Sequence, residues 1–597
     1  MKKAFGGLLS ASFTKYLFYL FSAYCFVFGI TEYFFDDEIW GNQSIFNLLL
    51  LALVFFILKY AFPKADKRTA LYGTVFSFLL SVSLVVGNCI YRGGTLSTMF
   101  GSAKAILVSL ITIWGFTAVI LSAFILLLKG LNHFPLCQGN TSRKIHRYPF
   151  IYGILMFLCW LPCYLAYYPG IFAYDIELQT MEALGMISYS RFHPPLHTWI
   201  WDVCLSAEHG IGINALVLYS LLQMCLFATA FTYVLHFMIK RKYDNRLILG
   251  SFLFFAFNPV IALFSFIPVK DAMLAVCFVL FTVELCIFMD NKEAYCKSIP
   301  ANIRLVVFGL LCCLLRNNVV YALIPAFLCM IFLLRKQWKQ ILLWCGCILL
   351  GYILINGPLY SALGIEKGNS REMLSVPMQQ IAYVVVYNEA SLTDEELTQI
   401  NEYIPCDDLS AIYNPRFADP VKTTFVTEKF DESPMEFVKL WFRLGTQYPE
   451  EYANAFLNLH IPYWYPDANS VDMFSQRAYI ETTVPDVPQT DYVVVRDSKI
   501  TALYNQYEKI ASFERFKTLP VISNLFSLSL PIWLLIGGIT VLVVRKEKNA
   551  MIPFLPAVFL WCTFILGPVS NLRYLLPIVV LYPVYLVLIL NTKKKMQ

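Results

Sequence analysis

The chain has 597 residues, of which 58% are hydrophobic and 14% charged, against about 25% charged in an ordinary soluble domain. With a mean hydropathy of +0.61, this excludes a soluble enzyme; at about 20 apolar residues per crossing it leaves room for up to about fourteen membrane-spanning helices. A net charge of +6 over this length is too small to imply a nucleic-acid partner, so where the charges sit matters more than their sum.

Apolar runs fall, in chain order, near 16–34, 44–61, 70–90, 105–128, 149–167, 211–238, 247–267, 272–289, 303–316, 318–334, 341–360, 520–544, 551–568 and 574–591. The first follows Met1-Lys2-Lys3 and continues to about residue 30 without a small-x-small cleavage site, so it reads as a retained helix rather than a signal peptide. The even number of runs places both termini on one side. Basic residues next to spans stay on the cytoplasmic side, and the alternation of segments segregates them. One side holds 27, whereas the short segments of the other hold six: Arg92, Lys104, Arg191, Lys270, Arg316 and Arg573. The other 13 lie in 362–519, a segment long enough to be translocated regardless of charge. Fusing 303–316 with 318–334 would turn the basic clusters at 335–339, 545–548 and 593–595 outward, so Arg316-Asn317-Asn318 reads as the outer turn of a hairpin. Most of the seventeen cysteines lie inside apolar runs and none forms a Cys-x-x-Cys pair, which suits small hydrophobes rather than a disulfide framework.

The expected protein is therefore an all-α, polytopic protein of the cell membrane with about 14 transmembrane helices and both termini cytoplasmic. Residues 1–130 form an N-terminal four-helix membrane module, and 145–361 a transmembrane core with an outer loop at 168–200. Residues 362–519 form a mostly helical extracytoplasmic domain between the eleventh and twelfth spans, and 520–597 the last three helices. Within 362–519, Thr393-Asp394-Glu395-Glu396 reads as a capping box opening a helix to about Tyr403. The stretch 435–460 has helical periodicity, and 404–434, rich in Pro and Asp, reads as loop.

Chemistry concentrates on the predicted outer side. Asp175, in the loop after the fifth span, is placed to act as a general base or a metal ligand, or to be an ordinary solvated loop acid. His193 and His197 have the i, i+4 spacing of metal ligands on a helix, but Pro194 and Pro195 intervene, so contacts to a substrate or loop packing compete with a metal. Lys270 and Asp271 open the eighth span, where Asp271 favours the positive helix end and Lys270 either snorkels or meets a phosphate. Arg316 and Asn317 sit in the hairpin turn; Arg573 and Tyr574 open the last span. Each arginine alone is an ordinary interfacial residue, yet its planar fork matches phosphate oxygens. Together the set places two acids and three cations at one depth, the pattern of an outward site for a phosphorylated lipid. Glu284 lies within the eighth span toward its other end and suits a pairing role. The aromatic run His460 to Asp467 suits the membrane interface or stacking on a sugar ring.

The loop 168–200 resembles the first catalytic loop of the GT-C superfamily of membrane glycosyltransferases, the group of protein O-mannosyltransferases and the lipid A aminoarabinose transferase. The matching elements are Asp175 after a span, an amphipathic stretch at 176–190, HPPLH at 193–197 and a glycine-containing turn at 210–215, joined by SNLRYLLP at 570–577. The resemblance implies a GT-C-like core, preceded here by an added module at 1–130. It implies inverting transfer of a sugar from a polyprenyl-phosphate donor to an acceptor hydroxyl on a cell-envelope glycan, lipid or protein. Asp175 would then be the catalytic general base or an acceptor-positioning acid, and His193, His197, Lys270, Asp271, Arg316, Asn317, Arg573 and Tyr574 would line the substrate site. Some relatives use a divalent cation, Mg or Mn, and others none. Two other readings suit the same composition: a transporter or flippase of a lipid-linked glycan, which predicts inverted repeats with broken helices, and a glycan polymerase or ligase.

Overall fold

The computed structural model describes residues 11–34, 44–133, 148–172, 175–468, 492, 494–511, 519 and 521–592. Among them the chain is helical, with isolated bridges but no strand. Among the described residues eight helices are long and apolar enough to cross a bilayer: Phe13–Tyr33, Ile45–Lys64, Lys67–Gly93, Ala103–Asn132, Ala215–Lys240, Lys270–Asp290, Arg335–Ala362 and Leu572–Asn591. Six shorter apolar helices occupy the other apolar runs: Phe150–Ala166, Asn245–Phe257, Ile299–Leu315, Val319–Leu333, Leu530–Val544 and Lys548–Phe564. The protein is thus a multi-pass membrane protein. The basic residues Lys2 and Lys3, 143–147 and 593–595 lie outside the described residues.

The hydrophobic pattern locates these helices well, with local differences that have physical causes. The run 520–544 does not begin as a helix: Ile522–Phe526 is a 3-10 segment, and the α-helix opens at Leu530 with Pro531 in its first turn, where a missing N–H costs nothing. Arg316 adopts an extended conformation (φ −156°, ψ 113°) between Ile299–Leu315 and Val319–Leu333, so these two runs are separate helices.

The polar segment has a core of its own, built from residues such as Met378, Ile381, Val384, Ile400, Phe437 and Leu444. Its capping box closes in both directions. Thr393 Oγ1 accepts from the Glu396 N–H at 3.2 Å, and Glu396 Oε2 accepts from the Thr393 N–H at 3.0 Å. The stretch 435–460 is two helices, Pro434–Gln447 and Pro449–Leu459, that meet at Tyr448, because the residue before a proline is steered out of the α region. The stretch 404–434, expected as loop, contains the short helices Leu409–Ile412, Asp419–Thr424 and Thr427–Glu432. Helices this short carry too little periodicity to be read from sequence.

The first four long helices pack on one another, and Lys67–Gly93 and Ala103–Asn132 join them to the rest of the molecule. Lys67–Gly93 runs along Leu530–Val544, with Arg68 Nη2 donating to the Val543 carbonyl at 2.9 Å and the Phe76 ring edge-on to Trp533 at 6.2 Å. The helix Lys270–Asp290 carries charge at both ends, about 30 Å apart at 1.5 Å per residue. Asp290, at its C-terminal end, pairs with Arg241. Near that end the fully buried Glu284 accepts from Tyr233 at 2.6 Å, Tyr295 at 2.7 Å and Arg304 Nε at 2.7 Å. Its donors satisfy both carboxylate oxygens, the pairing role expected of it.

Candidate functional site

The site is assembled at the opposite end of Lys270–Asp290. After Phe150–Ala166 the chain turns through Gly170, whose φ of +147° disfavours a side chain. A Cβ there would lie 2.8 Å from Leu216 Cγ and from Ser220 Oγ. That close approach carries the loop to Asp175, which precedes the helix Ile176–Ala183. Lys270 and Asp271 form the first turn of their helix, and Arg316 caps the end of Ile299–Leu315. Asn571 N-caps Leu572–Val579, its side chain accepting from the Arg573 N–H at 3.0 Å, and so fixes Arg573 in the first turn.

Four stretches far apart in sequence thereby converge. Asp175 Oδ2 lies 2.7 Å from Lys270 Nζ, 3.5 Å from Arg573 Nη1 and 3.8 Å from His193 Nδ1. Asp271, fully buried, pairs with Arg316 and lies 3.7 Å from Arg573 Nε, so Arg573 spans both carboxylates. Arg316 stacks over the Tyr574 ring at 4.0 Å and donates from Nε to Asn318 Oδ1 at 3.0 Å. The Tyr574 hydroxyl accepts from Arg573 Nη2 at 3.3 Å.

Three cations, Lys270, Arg316 and Arg573, face two carboxylates, Asp175 and Asp271, and all five side chains are at most 21% exposed. The cluster therefore carries one positive charge in excess, in a setting where electrostatic attraction is stronger than in water. Burial pushes the Asp175 carboxyl up, but Arg573 and Lys270, with His193, hold it well below the usual carboxylate range, so it rests ionised. Burial, reinforced by Lys270, pulls His193 down to about 3 against the opposing pull of Asp175, and its ring is neutral at neutral pH. Lys270 Nζ sits 3.3 Å from His193 Nδ1. An ammonium can only donate, so Nδ1 accepts and the ring proton resides on Nε2. That N–H is buried and has no hydrogen-bond partner among the described residues. The arrangement thus offers an anion one surplus charge and one open neutral donor.

Two of the expected site residues serve elsewhere. His197 is locked between Gln179 Oε1, 2.9 Å from Nδ1, and the Tyr219 hydroxyl, 2.7 Å from Nε2, a strut joining Ile176–Ala183, Pro195–Ile211 and Ala215–Lys240. His193 precedes the helix that begins at Pro195, so the two histidines do not share a helical face. Asn317 accepts from the Tyr352 hydroxyl at 3.2 Å; its neighbour Asn318 instead bonds Arg316 and donates to Thr563 at 2.7 Å. Among the described residues no group of three His, Cys, Asp or Glu side chains is arranged to hold a metal ion. Asp175 and Asp271 are each engaged by cations, a donor set that does not fit a Mg or Mn centre. Sequence reasoning singled out the run His460 to Asp467 but missed the role of Tyr463, which is fully buried and holds the backbone of Asn571. The run around it is packed within the protein: Tyr463 and Tyr465 are at most 1% exposed, which leaves no membrane-interface role for them. Its only advance signal is the density of aromatic residues beside His460.

Residues 203–597 match the profile of a family of unknown function, DUF6020, and no curated protein and no solved structure matches the chain. The matched stretch contains Lys270, Asp271, Arg316 and Arg573, whereas Asp175 and His193 precede it. Since the match covers more than half of the chain, the protein belongs to the DUF6020 family.

Proposed function

We propose that the protein is a glycosyltransferase of the cell membrane, with fourteen spans and both termini cytoplasmic, moving a sugar from a polyprenyl-phosphate donor to an acceptor hydroxyl on the outer face. One observation carries this reading: the carboxylate of Asp175 is gripped by Lys270 and Arg573 in a buried cluster with one positive charge in excess. A phosphodiester supplies the missing negative charge, and the arginine forks and the open His193 N–H match its oxygens. The GT-C resemblance of 168–200 and 570–577 points the same way.

In this mechanism the acceptor oxygen attacks the anomeric carbon as the bond from that carbon to the phosphate oxygen breaks. The bonding pair leaves with polyprenyl phosphate, and Asp175 takes the acceptor proton. Lys270 and Arg573 hold the charge that builds on the leaving phosphate. The resting Asp175 is a weak base because those same cations hold it. Binding the donor phosphate diverts them, so the carboxylate becomes more basic once the donor is in place. No metal step is included, because the carboxylates are committed to the cations.

The test is mass spectrometry of envelope glycans and polyprenyl-phosphate sugars in a deletion strain complemented with wild type or Asp175→Asn at matched expression. The reading expects the mutant to leave a sugar missing from the envelope while its lipid-linked donor accumulates. Full complementation by Asp175→Asn overturns it.

A further inference from the structure

The five residues that lead into the helix bearing Arg573 are all held by one neighbouring region, 417–463. His460 Nε2 lies 3.0 Å from the Gly567 carbonyl. The Pro568 carbonyl accepts from the Ala418 N–H at 2.9 Å, and Val569 bridges to Phe417. Ser570 Oγ donates to the Leu459 carbonyl at 3.4 Å. The Tyr463 hydroxyl does two things at Asn571: it accepts from the N–H at 3.0 Å and donates to the carbonyl at 3.3 Å.

The residues that follow Tyr463, Trp464 and Tyr465, pack on the helix Lys67–Gly93. Ser83 Oγ donates to the Trp464 carbonyl at 2.6 Å, which also accepts from Trp533 Nε1 at 2.8 Å. The Tyr465 ring lies directly on Gly87, where a Cβ would fall 2.2 Å from a ring carbon. A glycine is required at that position to let helix and ring meet. The contacts form a continuous path from the N-terminal helices, through 460–465, to Asn571 and the guanidinium that spans Asp175 and Asp271.

We propose that Tyr463 is a positioning residue of the cationic site, fixing the start of Leu572–Val579 and so the Arg573 guanidinium, and that Lys67–Gly93 is the wall against which the adjoining Trp464 and Tyr465 are held. This gives the N-terminal module a role in the site. The affinity measurement below rests on the phosphate-binding reading, whereas the exchange measurement is independent of it.

The experiment uses the full chain in lipid nanodiscs as wild type, Tyr463→Phe, Arg573→Gln and the double variant. Amide hydrogen exchange is followed at 567–574, and farnesyl phosphate, a short prenyl phosphate, is titrated calorimetrically. Loss of the hydroxyl removes two hydrogen bonds, so exchange at 567–574 in Tyr463→Phe should quicken about tenfold, with the other helices unchanged. Farnesyl phosphate affinity should fall about tenfold, and the same substitution should change affinity less than about twofold when Arg573 is already Gln. Unchanged exchange at 567–574, or an equal loss of affinity in both backgrounds, overturns the proposal. If Tyr463→Phe does not accumulate, Gly87→Ala is used, since it pushes Tyr465 from the far side. Faster exchange at 567–574 then supports the path, and unchanged exchange there refutes it. If wild type does not bind farnesyl phosphate, the phosphate reading falls and the exchange result alone decides the role of Tyr463.

Discussion

Three buried histidines make the acid side of this protein's stability readable. His193 and His197 are pulled down to about 3 and His460 to about 4, in each case first by burial. The unfolded chain therefore binds protons near pH 6.5 that the folded chain refuses, and stability falls as pH drops below about 6.5. Each is worth roughly 2 kcal/mol less at pH 5 than at pH 7, from about 1.4 kcal/mol per pH unit. Asp175 acts in a different window, since its lowered pKa contributes stability that is lost only as pH falls below the usual carboxylate range. Thermal unfolding in detergent between pH 7.5 and 4.5 should thus show a steady loss, shallower in His193→Gln and unaltered in slope in Asp175→Asn. An equal slope in wild type and His193→Gln refutes the neutral-histidine assignment. A second expectation separates binding from chemistry. Asp175→Asn removes a negative charge from a cluster already positive, so it should bind farnesyl phosphate at least as tightly as wild type while transfer is lost. Lys270→Met and Arg573→Gln should instead weaken calorimetric binding, about tenfold or more for a buried charged hydrogen bond. Weaker binding by Asp175→Asn would show that the carboxylate, not the cations, holds the ligand.

At the scale of elements, hydrophobic length and helix punctuation are local properties, and they were legible: the capping box at Thr393, the break at Arg316 and the apolar runs all correspond to helices. The expected site residues Asp175, His193, Lys270, Asp271, Arg316, Arg573 and Tyr574 do meet. Their meeting was not legible, because it depends on how separate helices pack. His197 and Asn317 show the same limit from the other side, since spacing and adjacency placed them in the site whereas packing gave their polar groups to Tyr219 and Tyr352. The aromatic run holding Tyr463 was legible but its role was not, because that role depends on a turn about a hundred residues away. The two ends of Lys270–Asp290 should be separable by mutation. Arg304→Ala leaves the fully buried Glu284 without its half-exposed cation; breaking a fully buried pair costs about 3 kcal/mol, and solvent at Arg304 together with the two tyrosine donors brings the loss below that. Unfolding measurements should register that loss while calorimetric farnesyl phosphate affinity stays within about twofold, because Glu284 lies about 20 Å along the helix from Lys270. A loss of affinity matching the loss of stability would show the two ends to be coupled.

For the whole molecule, the apolar helices among the described residues, eight long and six shorter, show a multi-pass membrane protein but not its sidedness, which follows from charge. Arg241 and Arg545 gather at one end of the bundle: Arg241 pairs with Asp290, and Arg545 donates to Asn132 at 2.8 Å. Lys270, Arg316 and Arg573 gather at the other, and each of these three has a carboxylate beside it. The cations at the site end are thus largely neutralised, whereas the exposed cations that govern retention, such as Lys336 and Lys548, lie in segments read as cytoplasmic. That asymmetry predicts that the polar domain and the cationic site face outward together. Single cysteines in place of Glu395, Lys336 and Lys548, all at exposed positions, can be probed with a membrane-impermeant maleimide, using the unsubstituted protein as the background for its native thiols. Glu395→Cys should react in intact cells, and Lys336→Cys and Lys548→Cys only after permeabilisation. Reaction of Lys548→Cys in intact cells alongside Glu395→Cys would mean that an odd number of crossings separates Lys548 from its predicted side. In that case Leu530–Val544 does not span, and because Lys270 and Arg573 meet at Asp175 the outward orientation of the whole site falls with it.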